Sequence, residues 1–292
     1  MIDLPDIKGK YKYNTNISKY SYFKTGGVAD ILFIPADKND LIHFIKNYDK
    51  DLKINVIGAG SNLLIKDSGV RGIVILTENL KDIKLLNNGN IYCNSGVLGS
   101  RLYNFAKNKG YSGYEFLGLI PGTIGGACKM NAGCYGMCIK DILLDIETID
   151  LNGNIKTYSV EECNMEYRKN NLPNDLIFLG ATFKKTSHLD KKTIESNFKE
   201  LLMKKISSQP INEKTCGSTF KNLEDISAWK VVKELGFQGV DYNGVRMSEK
   251  NANFLINSNG NSTKIENLIR LIQEKARKER HIELELEIKI IE

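Results

Sequence analysis

Residues that bind metal ions are scarce in this sequence. It has three histidines, and its six cysteines form no C-x-x-C pair. Zinc sites usually draw such residues from short, regular spacings, so we expect no metal. No apolar run approaches the roughly 20 residues that span a bilayer, and we expect no membrane insertion. The first residues lack a basic segment followed by an apolar core, which predicts a cytoplasmic protein with free thiols.

One-sided charge is also missing. The formal net charge is +6, but the 41 basic residues are interspersed with 35 acidic ones. Nucleic-acid-binding proteins more often carry basic clusters, so we expect no nucleic acid. An anionic small molecule such as a nucleotide fits the same excess, and no obligate protein partner is indicated. Hydrophobic residues at 41% and charged residues at 26% are typical of a globular chain with two or three domains.

Strands and helices alternate along the first part of the chain. Apolar runs at 31–34, 55–57 and 73–76 predict strands, and Asp37 offers an N-cap for an amphipathic helix. The Asn152-Gly153 pair predicts the turn of a β-hairpin over 146–158. These patterns indicate an α+β fold.

The last part of the chain shows two further signals. Thr263 followed by Glu266 fits a capping box, which predicts a helix that begins at Thr263. Residues 282–290 then alternate between apolar and charged side chains. This period of two predicts a long, half-buried terminal strand.

Two glycine-rich segments are the clearest chemical signal. Gly58-Ala59-Gly60-Ser61-Asn62 follows a strand, and its amides could form an anion-binding nest, although alone such a loop is more often a plain turn. It lacks the third glycine of the Rossmann fingerprint. The second segment, 120–136, is dense enough in glycine to predict irregular backbone. Close packing would explain this density, and so would a diphosphate ligand held by both loops.

Several motifs occur in an order that resembles the UDP-N-acetylenolpyruvoylglucosamine reductase family. They cover residues 20–291, and the ordered set is far more specific than any single member. The motifs are Thr25-Gly26-Gly27-Val28-Ala29-Asp30, Gly58-Ala59-Gly60-Ser61-Asn62-Leu63-Leu64, Ile120-Pro121-Gly122-Thr123-Ile124-Gly125-Gly126, Met130-Asn131-Ala132-Gly133, Glu166-Tyr167-Arg168, Cys216-Gly217-Ser218-Thr219-Phe220 and Glu287-Ile288-Lys289-Ile290-Ile291.

The resemblance implies an FAD-binding domain of the vanillyl-alcohol-oxidase type with two subdomains, 1–79 and 80–187, and a C-terminal α+β substrate domain, 188–292. It implies non-covalent FAD, NADPH as reductant, and reduction of UDP-N-acetylglucosamine enolpyruvate to UDP-N-acetylmuramate for peptidoglycan. The residues expected to bind the cofactor are Gly58, Ala59, Gly60, Ser61, Asn62, Leu63, Pro121, Gly122, Thr123, Gly125, Gly126, Asn131 and Gly133.

The family's Arg, Ser and Glu correspond to Arg168, Ser218 and Glu287. Adding hydride to an enol ether that bears a carboxylate leaves an enediolate-like charge, which needs donors at the carboxylate and then a proton on carbon. An arginine suits the carboxylate. Cys216 is a rival proton donor, because it would share the face of Ser218 if the segment were extended. Spacing alone does not separate Glu287 from Glu283 and Glu285.

The chain departs from the family at two points. Asn251 stands where members often carry histidine, and the region after Arg168 leaves no room for the substrate-covering tyrosine loop of one group, so the chain resembles the shorter group. Two other functions are alternatives to this one. They are an FAD oxidase that passes electrons to oxygen, and a nucleotide or nucleic-acid binding module without redox activity.

Overall fold

A computed structural model describes residues 4–292 and gives them the alternating strands and helices that the sequence predicts. The strands are β1 (Lys10–Asn16), β2 (Val28–Ile34), β3 (Ile54–Ile57), β4 (Leu63–Ile65), β5 (Val70–Leu76), β6 (Ile83–Leu85), β7 (Ile91–Asn94), β8 (Gly133–Cys134), β9 (Met137–Cys138), β10 (Leu143–Ile149), β11 (Ile155–Ser159), β12 (Ile177–Phe183), β13 (Asp241–Tyr242), β14 (Val245–Met247), β15 (Leu255–Asn257) and β16 (Lys289–Ile291). The helices are α1 (Lys38–Asn47), α2 (Gly99–Asn108), α3 (Glu115–Leu119), α4 (Ile124–Lys129), α5 (Ile139–Ile142), α6 (Val160–Cys163), α7 (Lys191–Ser208), α8 (Ala228–Glu234) and α9 (Ser262–Arg280).

Two larger sheets form the first part of the fold. One has four strands in the order β1-β2-β5-β3, and the other has five in the order β11-β10-β12-β7-β6. β3 and β5 are parallel, whereas the five-stranded sheet pairs its strands antiparallel. The predicted Asn-Gly hairpin is confirmed as β10 and β11, with Ile149 opposite Ile155.

The described residues form two compact units. The first comprises the chain up to Tyr13, Ile31–Ala59 and Gly72–Met203. Helix α1 shows how its core is built, because Leu41, Phe44 and Ile45 are spaced for one helical face and are fully buried. The predicted N-cap is confirmed, since the Asp37 side chain accepts from Asp40 N.

The second unit comprises Asn14–Asp30, Gly60–Arg71 and Lys204–Glu292. Its core forms around α8 and α9, and β16 pairs in parallel with β4, placing Lys289 opposite Leu63. Because both units are discontinuous in sequence, they do not test domain boundaries at 79/80 and 187/188, which stay a prediction. No helix within residues 4–292 has both the length and the apolar character needed to cross a membrane.

Two predictions for the second unit were wrong in detail. The N-cap of α9 is Asn261, whose side chain accepts from Lys264 N, rather than Thr263. The helix begins earlier because Asn261 caps it, and Asp67 Oδ2 accepts the N–H of Ser262 at 2.7 Å, which satisfies a further first-turn amide. The terminal strand is limited to β16, because residues 282–288 meet another segment through an isolated bridge between Phe220 and Leu286.

Candidate active site

The two glycine-rich segments meet inside the first unit. A Cβ added at Gly58 would lie 2.2 Å from Thr123 Oγ1, so the loop after β3 packs directly on the start of α4. Ala59 is half-buried beside Gly58, and Pro121 is exposed beside the half-buried Gly122. The structure therefore brings the predicted cofactor-binding residues 58–59 and 121–126 together.

The second glycine-rich segment is more regular than predicted, because it contains α4. Thr123 caps this short helix by accepting from Gly126 N, and Gly125 N donates to Ser95 O at 2.8 Å. A Cβ at Gly125 would approach Ser95 Cβ to 2.8 Å, so close packing explains this glycine. Gly126 is exposed, and a Cβ there would meet Thr123 Oγ1 at 3.7 Å. Packing thus explains Gly125 and leaves Gly126 as open main chain that a ligand could approach.

Arg168 is held beside this segment in a strained turn. Glu166 and Lys169 exchange two backbone hydrogen bonds, and Arg168 between them has a φ of 55°. Its guanidinium donates to Gly133 O at 2.9 Å and lies 4.8 Å from the centroid of the Tyr167 ring. A left-handed arginine persists only where its surroundings impose the conformation, which is typical of functional sites.

Asn131 fixes the turn of Arg168 to the glycine-rich segment. It is buried, its Nδ2 donates to Glu166 O at 2.9 Å, and its Oδ1 accepts from Lys140 N at 3.1 Å. Asn131 was predicted to bind the cofactor, and its side chain is used here to hold the backbone next to Arg168. Gly133 contributes its carbonyl to Arg168 directly.

The remaining part of the first loop lies in the second unit. Gly60 is buried with a φ of 66°, and a Cβ there would lie 1.7 Å from Tyr20 O. Ser61 and Asn62 are half-buried, and Leu63 begins β4. Leu63 O accepts from Ser21 Oγ at 2.8 Å. Glycine is therefore required at position 60 by both conformation and space.

Ser218 lies in a segment that a buried asparagine braces. Asn253 accepts from Phe220 N through Oδ1 at 2.9 Å and donates to Phe220 O through Nδ2 at 2.7 Å. Its main-chain oxygen accepts from Thr219 N at 2.7 Å, and Ser218 forms a bridge with Phe254. Three hydrogen bonds from one residue therefore fix the backbone directly after the half-buried Ser218. Sequence reasoning missed Asn253.

The structure separates Cys216 from Ser218. Gly217 between them has a φ of 80°, so the segment is not extended and the two side chains do not share a face. The thiol of Cys216 is buried and donates to Leu63 O at 3.3 Å. Burial raises the pKa of this thiol to about 12. Cys216 is thus a core residue, and Ser218 is the more accessible of the two donors.

The family resemblance implies a bound flavin that the substrate reoxidises, and replacing Cys216 with Ala is expected to leave that reoxidation within about threefold of wild type. The loss of a buried thiol should lower the free energy of unfolding by about 1 kcal/mol. Rapid-mixing absorbance and urea unfolding would measure the two effects. If reoxidation is lost in a variant with normal flavin content, Cys216 rather than Ser218 is the proton donor.

The three glutamates of the C-terminal segment have different surroundings. Glu283 and Glu285 are exposed and pair with Arg277 and Lys221, which lowers the pKa of both carboxyls. Glu287 is half-buried. Its N–H donates to Thr219 O at 2.9 Å, next to Ser218. The structure therefore brings Glu287 and the Ser218 segment together and leaves the other two glutamates in surface ion pairs.

Asn251, where the family resemblance leads us to expect histidine, has a local role. Its Oδ1 accepts from Asn253 N at 3.0 Å, and its backbone oxygen accepts from Phe254 N at 3.0 Å. This Asx-type turn presents Asn253 to the Ser218 segment. The Asn251-Ala252-Asn253 spacing was a usable signal for such a turn, but nothing in the sequence indicated the segment that Asn253 braces.

Comparisons with known proteins agree over almost the whole chain. Residues 209–291 match the family described as UDP-N-acetylenolpyruvoylglucosamine reductase, C-terminal domain, and residues 29–159 match that described as FAD binding domain. A UDP-N-acetylenolpyruvoylglucosamine reductase from Rickettsia bellii (strain RML369-C) is 41% identical over 99% of this chain and 96% of its own. One from Rickettsia akari (strain Hartford) is 41% identical over 100% and 99%, respectively. The crystal structure of the reductase from Thermus caldophilus superposes with a TM-score of 0.84 at 28% identity, covering 98% of this chain and 100% of that one.

Proposed function

The chain belongs to the UDP-N-acetylenolpyruvoylglucosamine reductase family, and on that premise we propose that Arg168, Ser218 and Glu287 act on its substrate. The enzyme is an FAD-dependent oxidoreductase that uses NADPH to reduce UDP-N-acetylglucosamine enolpyruvate to UDP-N-acetylmuramate for peptidoglycan. Its FAD-binding domain and C-terminal domain agree with the fold predicted from the sequence.

The residues of the two glycine-rich segments fit a diphosphate-bearing cofactor. Gly58 allows the first segment to pack on Thr123 of the second, Gly125 allows the second segment to pack on Ser95, and Gly126 is exposed. Glycine-rich main chain allows phosphate oxygens to approach closely, so residues 58–63 and 121–126 would hold FAD, with Asn131 and Gly133 supporting them. When bound there and reduced by NADPH, FAD would supply hydride chemistry for the vinyl carbon of the substrate.

The protein's own side chains then bind the substrate carboxylate and supply the proton. Arg168 binds the substrate carboxylate through its planar guanidinium. Glu287, in its protonated form, donates a hydrogen bond to the same carboxylate as negative charge develops on it. Ser218 passes its hydroxyl proton to the adjacent carbon, and the alkoxide left behind takes a proton back from solvent. The observation that carries this assignment is the hydrogen bond from Glu287 N to Thr219 O, which puts the two proposed acids on neighbouring segments.

Three finer assignments belong to the same proposal. Residues 1–79 and 80–187 act as FAD-binding subdomains, and 188–292 bind the sugar nucleotide. The enzyme works in the cytoplasm. It belongs to the shorter group of reductases, because β12 and its flanking turns occupy the chain between Arg168 and α7.

An anaerobic titration of the flavin absorbance tests the activity. NADPH should bleach the oxidised flavin band, and one equivalent of the enolpyruvyl sugar nucleotide should restore it. The oxidase alternative predicts rapid reoxidation by air without that substrate. A purified protein that takes up no FAD, even when FAD is supplied in excess, would contradict the assignment outright.

A further inference from the structure

Asn62 has two contacts with the segment that carries Glu287. Its Nδ2 donates to Glu287 O at 3.1 Å, and its backbone oxygen accepts from Lys289 N at 2.9 Å. The backbone contact continues the ladder between β4 and β16, in which Lys289 lies opposite Leu63. The side-chain contact extends that ladder beyond its regular end. We propose that Asn62 is a positioning residue for Glu287.

Both main-chain polar groups of Glu287 form hydrogen bonds. Its N–H donates to Thr219 O at 2.9 Å, and its C=O accepts from the Asn62 amide. With both backbone groups engaged, the Cα–Cβ direction of Glu287 is fixed relative to the Ser218 segment. The Asn62 bond comes from a side chain, so substitution can remove it while leaving the backbone ladder in place.

Asn62 also belongs to the first glycine-rich loop, directly after Gly60 and Ser61. Because of this position, a change in the conformation of the loop can displace Glu287, whose carboxyl we propose to donate to the substrate carboxylate. Acid groups lose catalytic efficiency when their geometry is displaced by fractions of an ångström. The inference rests on the proposed role of Glu287, and it gives the Asn62 side chain a task separate from holding FAD.

Asn62→Ala and Asn62→Asp test the inference on the FAD-loaded enzyme. Both remove the amide donor, and the aspartate keeps the size of the side chain while turning an oxygen toward Glu287 O. Flavin reduction by NADPH and the dissociation constant for FAD are measured in the same variants, because Asn62 is also a proposed FAD-binding residue, and reduction should slow by less than reoxidation does. Reoxidation by the enolpyruvyl substrate should slow about tenfold, the effect of losing one positioning hydrogen bond. Asn259→Ala, an exposed asparagine of the same unit, serves as control and should leave both half-reactions unchanged.

A double-mutant cycle with Glu287→Gln gives the decisive readout. If Asn62 acts through Glu287, Asn62→Ala should slow reoxidation by less than about twofold once Glu287 is already Gln. Full additivity overturns the inference, as do normal reoxidation in both Asn62 variants or equal loss of both half-reactions with FAD release. If the wild-type enzyme itself fails to be reoxidised by the substrate, the proposed function has failed rather than the role of Asn62.

Discussion

Replacing Ser218 with Ala is expected to slow reoxidation of the flavin by the enolpyruvyl substrate by about 100-fold or more. The hydroxyl is the proposed source of the proton for the carbon next to the substrate carboxylate, and alanine has none. Asn253 holds the segment through the main chain of Thr219 and Phe220, so the backbone should survive the change. Reduction by NADPH should therefore keep its wild-type rate in stopped-flow absorbance.

The matched control is Ser227→Ala. Ser227 is a half-buried serine of the same unit whose side chain makes no capping bond to α8. It should show wild-type rates in both half-reactions. Equal loss of reduction and reoxidation in Ser218→Ala would mean that Ser218 acts structurally, and the assignment of the proton donor would be wrong.

Gly60→Ala is expected to lower the free energy of unfolding by about 3 kcal/mol and to abolish retention of FAD through gel filtration. The φ of 66° disfavours any side chain, and the new Cβ would lie 1.7 Å from Tyr20 O. Tyr20 O is a main-chain atom that cannot rotate away, so the loop must move. Urea unfolding and the flavin-to-protein absorbance ratio measure the two losses.

The variant Gly236→Ala separates the effect of the left-handed backbone conformation from that of the steric contact. Gly236 has a φ of 83°, but a Cβ there would meet nothing within 4 Å. It should lower the free energy of unfolding by about 1 kcal/mol, the cost of the left-handed conformation alone, and keep its FAD. If Gly60→Ala and Gly236→Ala have the same free energy of unfolding and retain the same amount of FAD, the close approach to Tyr20 O does not determine the conformation of the loop.

Local patterns predicted the elements whose stabilising contacts lie nearby in sequence. The Asp37 cap, the Asn152-Gly153 hairpin and the face of α1 each depend on residues within a few positions. Where a distant segment decided the outcome, prediction was wrong. Asp67 accepts a first-turn amide of α9, whose N-cap is Asn261, and the bridge from Phe220 to Leu286 interrupted the terminal strand. Composition alone could not anticipate such contacts.

In the candidate site too, the sequence predicted which residues take part, whereas distant contacts decide how they are held. Motif order indicated the glycine-rich segments, Arg168, Ser218 and Glu287, but not how they are held. Gly217 has a positive φ that breaks the alternation assumed for Cys216 and Ser218. The helix α4 forms within a glycine-rich segment because Thr123 caps it and Gly125 packs on Ser95. The bracing by Asn253 depends on a chain crossing that no short pattern encodes.

The parallel pairing of β4 with β16 has a consequence for the order of events on the ribosome. Asn62 and Glu287 are 225 positions apart, so β4 waits roughly 10–45 seconds for its partner at synthesis rates of about 5–20 residues per second. Throughout that delay the nascent polypeptide displays an unsatisfied strand edge, which chaperones or neighbouring chains can capture. Translation that stalls before Glu287 thus yields a product in which β4 has no partner strand and which lacks the carboxyl proposed to act with Ser218.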